Sequence, residues 1–151
     1  LKEAEAEDAV HLGQALVEPV EARMSELTGG RYGAPVIGPK LGTDGIMLAG
    51  ASRSLGSLSV GAREQLATLF RLTIAETLGT SVVLDDQLVQ SDSERMSFFG
   101  QLMRKCGREF QILVLTCRPG EYDFRPEDGV VMTDLEKHIT RSGQAGETGA
   151  S

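Results

Sequence analysis

Apolar residues recur at four- and three-residue steps through Leu16, Val20, Met24 and Leu27, which predicts a helix with one apolar stripe. Pro19 falls inside it and implies either a kink or a fresh helix start. The stripe suits an ordinary amphipathic helix, or the last turns of a coiled coil entering a globular head. Thr28-Gly29-Gly30 stops the rhythm, because glycine supplies the left-handed turn that ends a helix. Residues 31–38 and 44–51 then read as two short strands, with the glycine-rich stretch 39–45 as the turn between them. Residues 51–57 are small and polar and read as a loop.

From Gly61 the helical pattern is strong. Leu66, Leu69, Phe70, Thr73, Ile74, Thr77 and Leu78 mark the inner face, and Arg63, Glu64, Thr68, Arg71 and Glu76 the outer one, with Gly79 as the stop. The apolar run 81–84 after that turn predicts a buried parallel strand. Ser91-Asp92-Ser93-Glu94 fits a capping box with Ser91 as cap, and Met96, Phe99, Leu102, Met103 and Cys106 form the buried stripe of the next helix. A second apolar strand over 110–116 completes a β-α-β order, which implies a parallel pair. Residues 129–135 read as one further edge strand. From His138 onward there is almost nothing to bury, which predicts a disordered tail.

Composition narrows the class. At 151 residues, 40% hydrophobic and 25% charged, the chain can bury the core of one compact domain. A net charge of -7 argues against a surface that clings to nucleic acid throughout. No apolar run approaches the roughly 20 residues of a membrane span, and no signal peptide is visible. Cys106 and Cys117 suit no zinc spacing and read as reduced, buried thiols of a cytoplasmic protein. The first residue is Leu1 rather than Met, which leads us to expect a longer parent chain. His11 and His138 lack partners at metal-ligand spacing.

Two stretches carry candidate chemistry. Leu58-Ser59-Val60-Gly61 opens the strongest helix, and a helix start preceded by small residues presents free amides and a positive dipole end to a phosphate. Val82-Val83-Leu84-Asp85-Asp86 is an apolar strand ending on adjacent carboxylates, which suits a divalent metal beyond the carboxyl end of a parallel strand. Together they suggest a Mg-nucleotide site, yet G-x-x-x-x-G-K-S/T occurs nowhere in the chain. The plainer alternatives are a helix cap at Ser59, a capping or solvated acid at Asp85 or Asp86, and an acid favoured by the helix dipole at Asp92.

Leu58 to Gln65 resembles the "LSGGQ" signature of ABC-type ATPases, Val82 to Asp86 their Walker B strand, and Val89-Gln90-Ser91-Asp92 their D-loop. The strand 112–116 falls where the H-loop strand stands in that family. Arg63-Glu64-Gln65, the paired acids and the entry through Leu27 to Tyr32 are most similar to the SMC and RecN-like branch. The resemblance spans roughly residues 16–135. It implies an α/β fold, the C-terminal lobe of a P-loop NTPase head over residues 28–137, with a helix over 1–27 before it and the tail 138–151 behind.

The resemblance also implies roles. ATP and Mg²⁺ would be the cofactors, with Asp85 holding the metal through water and Asp86 orienting the attacking water. Ser59, Val60, Gly61 and Gln65 would face the γ-phosphate of ATP held by a second head, and Asp92 would couple the two sites. The partners implied are the N-terminal Walker A lobe of the same protein, a second head in a homodimer, and DNA through the full-length protein, in repair, chromosome organisation or defence; no membrane is involved. This chain departs from the pattern in three places. Val60 replaces a signature glycine, Asp86 the usual glutamate, and Cys117 or Arg118 the switch histidine, although Arg118 retains a cation for the γ-phosphate. A nucleotide-gated switch without hydrolysis is therefore one alternative. A non-enzymatic Mg-binding regulatory α/β module is another, disfavoured because Thr116-Cys117-Arg118 offers no lysine after the later strand.

Overall fold

The computed structural model describes residues 2–38, 42–88, 91–122 and 124–137. The expected tail (138–151), the tip of the first hairpin (39–41) and Val89-Gln90 of the D-loop resemblance lie outside them. The chain is a mixed α/β domain of three helices and two small sheets among the described residues.

Helix α1 spans Lys2–Thr28 and runs through Pro19 without a break in assignment. At 27 residues it is about 40 Å long. Leu16, Val20 and Met24 are buried as the spacing predicts, and Leu27 packs partly against the same core. Its end is closed as the glycines imply: Gly29 and Gly30 have φ of 60° and 80°, and the Gly30 amide donates to the Ser25 carbonyl at 2.8 Å.

Strands β1 (Tyr32–Ile37), β2 (Thr43–Leu48) and β3 (Ala51–Ser54) form an antiparallel sheet in that order. The first two strands answer the expectation, but β3 occupies the stretch expected to be a loop. Ala49 and Gly50 both have positive φ, 49° and 79°, which makes the tight two-residue turn that reverses the chain. All four β3 residues are exposed, so no apolar alternation signals the strand.

Helix α2 (Val60–Leu78) is the centre of the molecule, touching α1, α3 and β4. Its buried face is wider than one stripe: Thr68, Leu72 and Ala75 are buried along with Leu66 and Leu69, while Leu78 is exposed. Thr68, expected outside, is buried because its hydroxyl donates to the Glu64 carbonyl at 2.8 Å, satisfying it within the helix. The Arg23 guanidinium of α1 ties the two helices together, donating to Thr73 Oγ1 at 2.7 Å and pairing with Glu76.

Strands β4 (Val82–Asp85) and β5 (Ile112–Leu115) are parallel, with Val82 opposite Ile112 and Asp85 opposite Leu115. Helix α3 (Ser93–Cys106) connects them, and its buried Met96, Phe99, Met103 and Cys106 match the expected stripe. Three expectations are corrected here. The strand pair is covered on one face only, since Leu84 is buried while Val83, Leu113 and Leu115 are 53%, 50% and 39% exposed. Residues 129–134 form no strand, and Val131 and Met132 face solvent. Cys117 is exposed, whereas Cys106 is buried, and both are free thiols.

Candidate nucleotide site

The end of β4 sets the site. Asp85 is the last residue of the strand, and the Asp86 amide donates to the Leu115 carbonyl of β5 at 2.7 Å, carrying the parallel pairing one residue further. Asp86 then turns left-handed, φ 45°, and Leu88 follows at φ 69° while being fully buried. A leucine in that region costs of order 1–3 kcal/mol and persists only where packing over-determines it. The result is two exposed acids on a tight turn. Neither carboxylate is in an ion pair among the described residues. No group of three or more metal-ligating side chains occurs among those residues, so a cation here would need further ligands from phosphate and water.

The next strand end faces these acids. Thr116 Oγ1 lies 3.5 Å and Cys117 Sγ 3.7 and 3.8 Å from the Asp86 carboxylate oxygens. Thr116 Oγ1 also accepts the Arg118 amide at 3.0 Å, which fixes the turn, and the Arg118 guanidinium pairs with Glu121 at 2.9 Å. A 3₁₀ turn over Pro119–Tyr122 brings the Tyr122 hydroxyl to the Gln87 carbonyl, where it donates at 2.9 Å. Tyr122 thus clamps the turn after β5 to the turn after β4.

Burial pushes the Tyr122 phenol up from its ordinary 10.0, and the Asp86 charge adds to it; burial likewise raises the Cys106 thiol from 9.0. Both groups therefore hold their protons to higher pH folded than unfolded. Their contribution to stability is complete below about pH 9 and is lost as pH rises through the folded values. Urea midpoints followed from about pH 7 to pH 11 are expected to be flat at first and to fall beyond pH 9. In Tyr122→Phe the fall above pH 10 becomes shallower, and an unchanged slope would exclude the phenol as its source.

The second stretch lies at the start of α2. Ser59 caps the helix, its Oγ accepting the Ala62 amide at 3.2 Å. Val60 is 55% exposed in the first turn, and Gly61 follows it. Gln65 is 1% exposed, and its amide nitrogen donates to Ser91 Oγ at 3.1 Å. This bond joins α2 to the loop leading into α3. Asp92, not Ser91, is the cap of α3: its carboxylate accepts the Arg95 amide at 3.0 Å and pairs with the Arg95 guanidinium at 3.4 Å. The Ser91 hydroxyl instead accepts from Gln65, one position before the cap.

A cleft of about 560 Å³ opens beside the α2 start, lined by Arg31, Arg53, Ser59, Gln65 and Arg95 among others. Arg53 escaped the sequence reading because it sits on an edge strand that carries no motif, and Arg31 entered it only within the stretch Leu27 to Tyr32, with no role of its own. The structure brings Ser59, Gln65 and, through Arg95, Asp92 to one region. It gathers Asp85, Asp86 and Arg118 at the neighbouring strand ends.

No protein-family model matches the chain. Uncharacterized proteins of Mycobacterium tuberculosis and Mycobacterium bovis are 36% identical to it over 121 residues, covering 70% of this chain. The chain spans only 13% of the length of these curated relatives. Among solved structures, a chain from work on the ATP-driven dimerization and DNA-stimulated activation of SMC ATPases superposes with a TM-score of 0.60. The match covers 96% of this chain and 99% of that one at 16% identity. The chain has the fold of an SMC ATPase chain. No helix among the described residues is long and apolar enough to cross a membrane.

Proposed function

We propose that this chain is the C-terminal lobe of an SMC-like ATPase head, which completes an ATP site only with a lobe carrying the P-loop and turns over only when two heads pair around nucleotide. The observation that carries this reading is the half-covered parallel sheet. Parallel sheets are normally buried on both faces. Here Val83, Leu113 and Leu115 leave one face apolar and open, beside the acids Asp85 and Asp86. A second lobe laid on that face would meet the carboxyl ends of β4 and β5, where open α/β sheets bind ligands.

The residues present fit MgATP in kind. Two exposed carboxylates stand free of ion pairs at a strand end, and the Arg118 cation lies in the adjacent turn. Asp85 would hold the cation through water, and Asp86 would orient the attacking water and accept its proton. Arg118 reaches toward the γ-phosphate. Bound Mg²⁺ supplies charge neutralisation for phosphoryl transfer, and the protein supplies position. Ser59, Val60 and Gly61 at the α2 start meet the nucleotide of the opposite head. The Gln65–Ser91 bond couples that helix to Asp92 in the loop before α3. ATP-driven dimerization and DNA-stimulated activation of the SMC ATPase neighbour support head pairing and a DNA-linked role here.

One observation favours a second reading, a nucleotide-gated switch without turnover. An exposed thiol, Cys117, lies 3.7 and 3.8 Å from the Asp86 oxygens, and either it or Arg118 stands where the resembled family has a histidine.

The test is association of the full-length protein with a non-hydrolysable ATP analogue, followed by light scattering. The native protein is expected to double its mass on adding nucleotide. Ser59→Arg, which fills the phosphate cradle, is expected to stay monomeric while retaining nucleotide affinity. A native protein that never associates at any nucleotide concentration would sink the reading.

A further inference from the structure

We infer that the cleft at the start of α2 is a triphosphate site whose cations are Arg31, Arg53 and Arg95. The inference deepens the proposed function and rests on it only for the source of the triphosphate, a nucleotide held by a second head.

The cleft is assembled from segments far apart in sequence. Arg31 follows the end of α1 and lies over the Tyr32 ring at 5.6 Å, which fixes the direction of its guanidinium. Arg53 sits on β3 opposite Ile46 of β2, and cross-strand partners share a face, so it projects on the side where Ile46 is buried. The backbone there is held closely: a Cβ on Gly45 would come within 2.3 Å of the Arg53 carbonyl oxygen, so β3 packs on β2 at a distance only glycine permits. Arg95 stands in the first turn of α3, paired with the exposed Asp92 at 3.4 Å.

Between these cations lies Ser59 and the positive end of α2. The Ala62 and Arg63 amides are taken by Ser59 Oγ and the Ser59 carbonyl. The Val60 and Gly61 amides precede any intrahelical acceptor and point out of the helix end. Among the described residues no acidic side chain lines the cleft, although Arg95 is paired with Asp92 beside it, in a chain whose net charge is -7. Its volume of about 560 Å³ suits a small ligand. A duplex would be met by a stripe of cations spread along its backbone, whereas these three line one concavity, which favours a compact polyanion.

Three further residues therefore join the proposed machinery, and they offset the loss of a signature glycine at Val60. The valine side chain there hinders close approach of a phosphate to the helix-start amides, and charge-assisted contacts from guanidinium groups reach the phosphate oxygens from further out.

Calorimetric titration of this chain with inorganic tripolyphosphate tests the assignment. Binding is expected, weakening as salt rises. Arg53→Glu and Arg31→Glu should each lower affinity about tenfold or more, as loss of a charge-assisted contact does. Arg71→Glu, on the exposed face of α2, makes the same change in net charge and should have little effect. Both cleft arginines are exposed, so the melting curves of their variants should match the native one. Tripolyphosphate binding that is absent, or indifferent to Arg31 and Arg53, would overturn the inference. So would binding of short duplex DNA, and not tripolyphosphate, that is lost in Arg53→Glu. Head association with nucleotide alongside arginine-independent tripolyphosphate binding would remove this inference and leave the proposed function standing. Arginine-dependent binding without nucleotide-driven association would do the reverse.

Discussion

Asp86→Asn is expected to lower ATP turnover of the full-length protein by about 100-fold or more, the usual contribution of a positioned general base. The argument rests on how little else the substitution changes. Asp86 sits at φ 45°, a region that asparagine tolerates nearly as well as aspartate. Its amide bond to the Leu115 carbonyl is a main-chain contact and survives. The Thr116 and Cys117 donors around the carboxylate meet an amide oxygen instead. What is lost is the charge that draws a proton from water. Nucleotide affinity, set by other groups, should remain within a few-fold. Steady-state phosphate release against nucleotide binding separates the two, and equal turnover in native and variant protein would remove Asp86 from catalysis. If the native protein binds nucleotide and never turns over, the switch reading takes its place.

Phe99→Ala is expected to destabilise the fold by about 3–5 kcal/mol, the range for truncating a large buried aromatic. Phe99 is fully buried on α3 and meets Phe98 edge-to-face, with ring centroids 5.5 Å apart. It belongs to the cluster that joins Leu66 and Leu69 of α2 to Leu84 of β4 and Met103 of α3. Truncation therefore opens a cavity beneath the strand that carries Asp85. A domain of this size holds only about 5–15 kcal/mol in total, so the variant should be close to unfolding at physiological temperature. Urea denaturation followed by far-UV circular dichroism measures the shift. A loss below about 1 kcal/mol would mean that the site collapses freely around the gap.

Much of the fold was legible because it is local. The stripe Leu16, Val20, Met24, the glycine stop at Gly29-Gly30 and the α3 stripe all came through, since three- and four-residue spacing is imposed by helix geometry. The parallel pairing of β4 with β5 followed from the strand-helix-strand order. Misreadings fell where the signal is weak or competed for. Strand β3 carries no buried residue, so nothing in Ala51-Ser52-Arg53-Ser54 distinguishes it from a loop. The α3 cap is Asp92 and not Ser91, whose hydroxyl accepts from Gln65, 26 positions earlier.

By itself, then, the sequence determined the helices, the strand that delivers Asp85 and Asp86, and the order of Ser59, Asp85 and Asp92 along the chain. These depend on periodicity, caps and short apolar runs, all set within a few residues. Only the tertiary structure decided that Arg31, Arg53 and Arg95 share a cleft with Ser59, that Gln65 grips Ser91, and that one face of β4 and β5 stands open. Those arrangements join residues tens of positions apart, or depend on what covers a surface. Packing of α1, α3 and β4 on α2, and of the first sheet on α1, brings them together, and no local propensity encodes it.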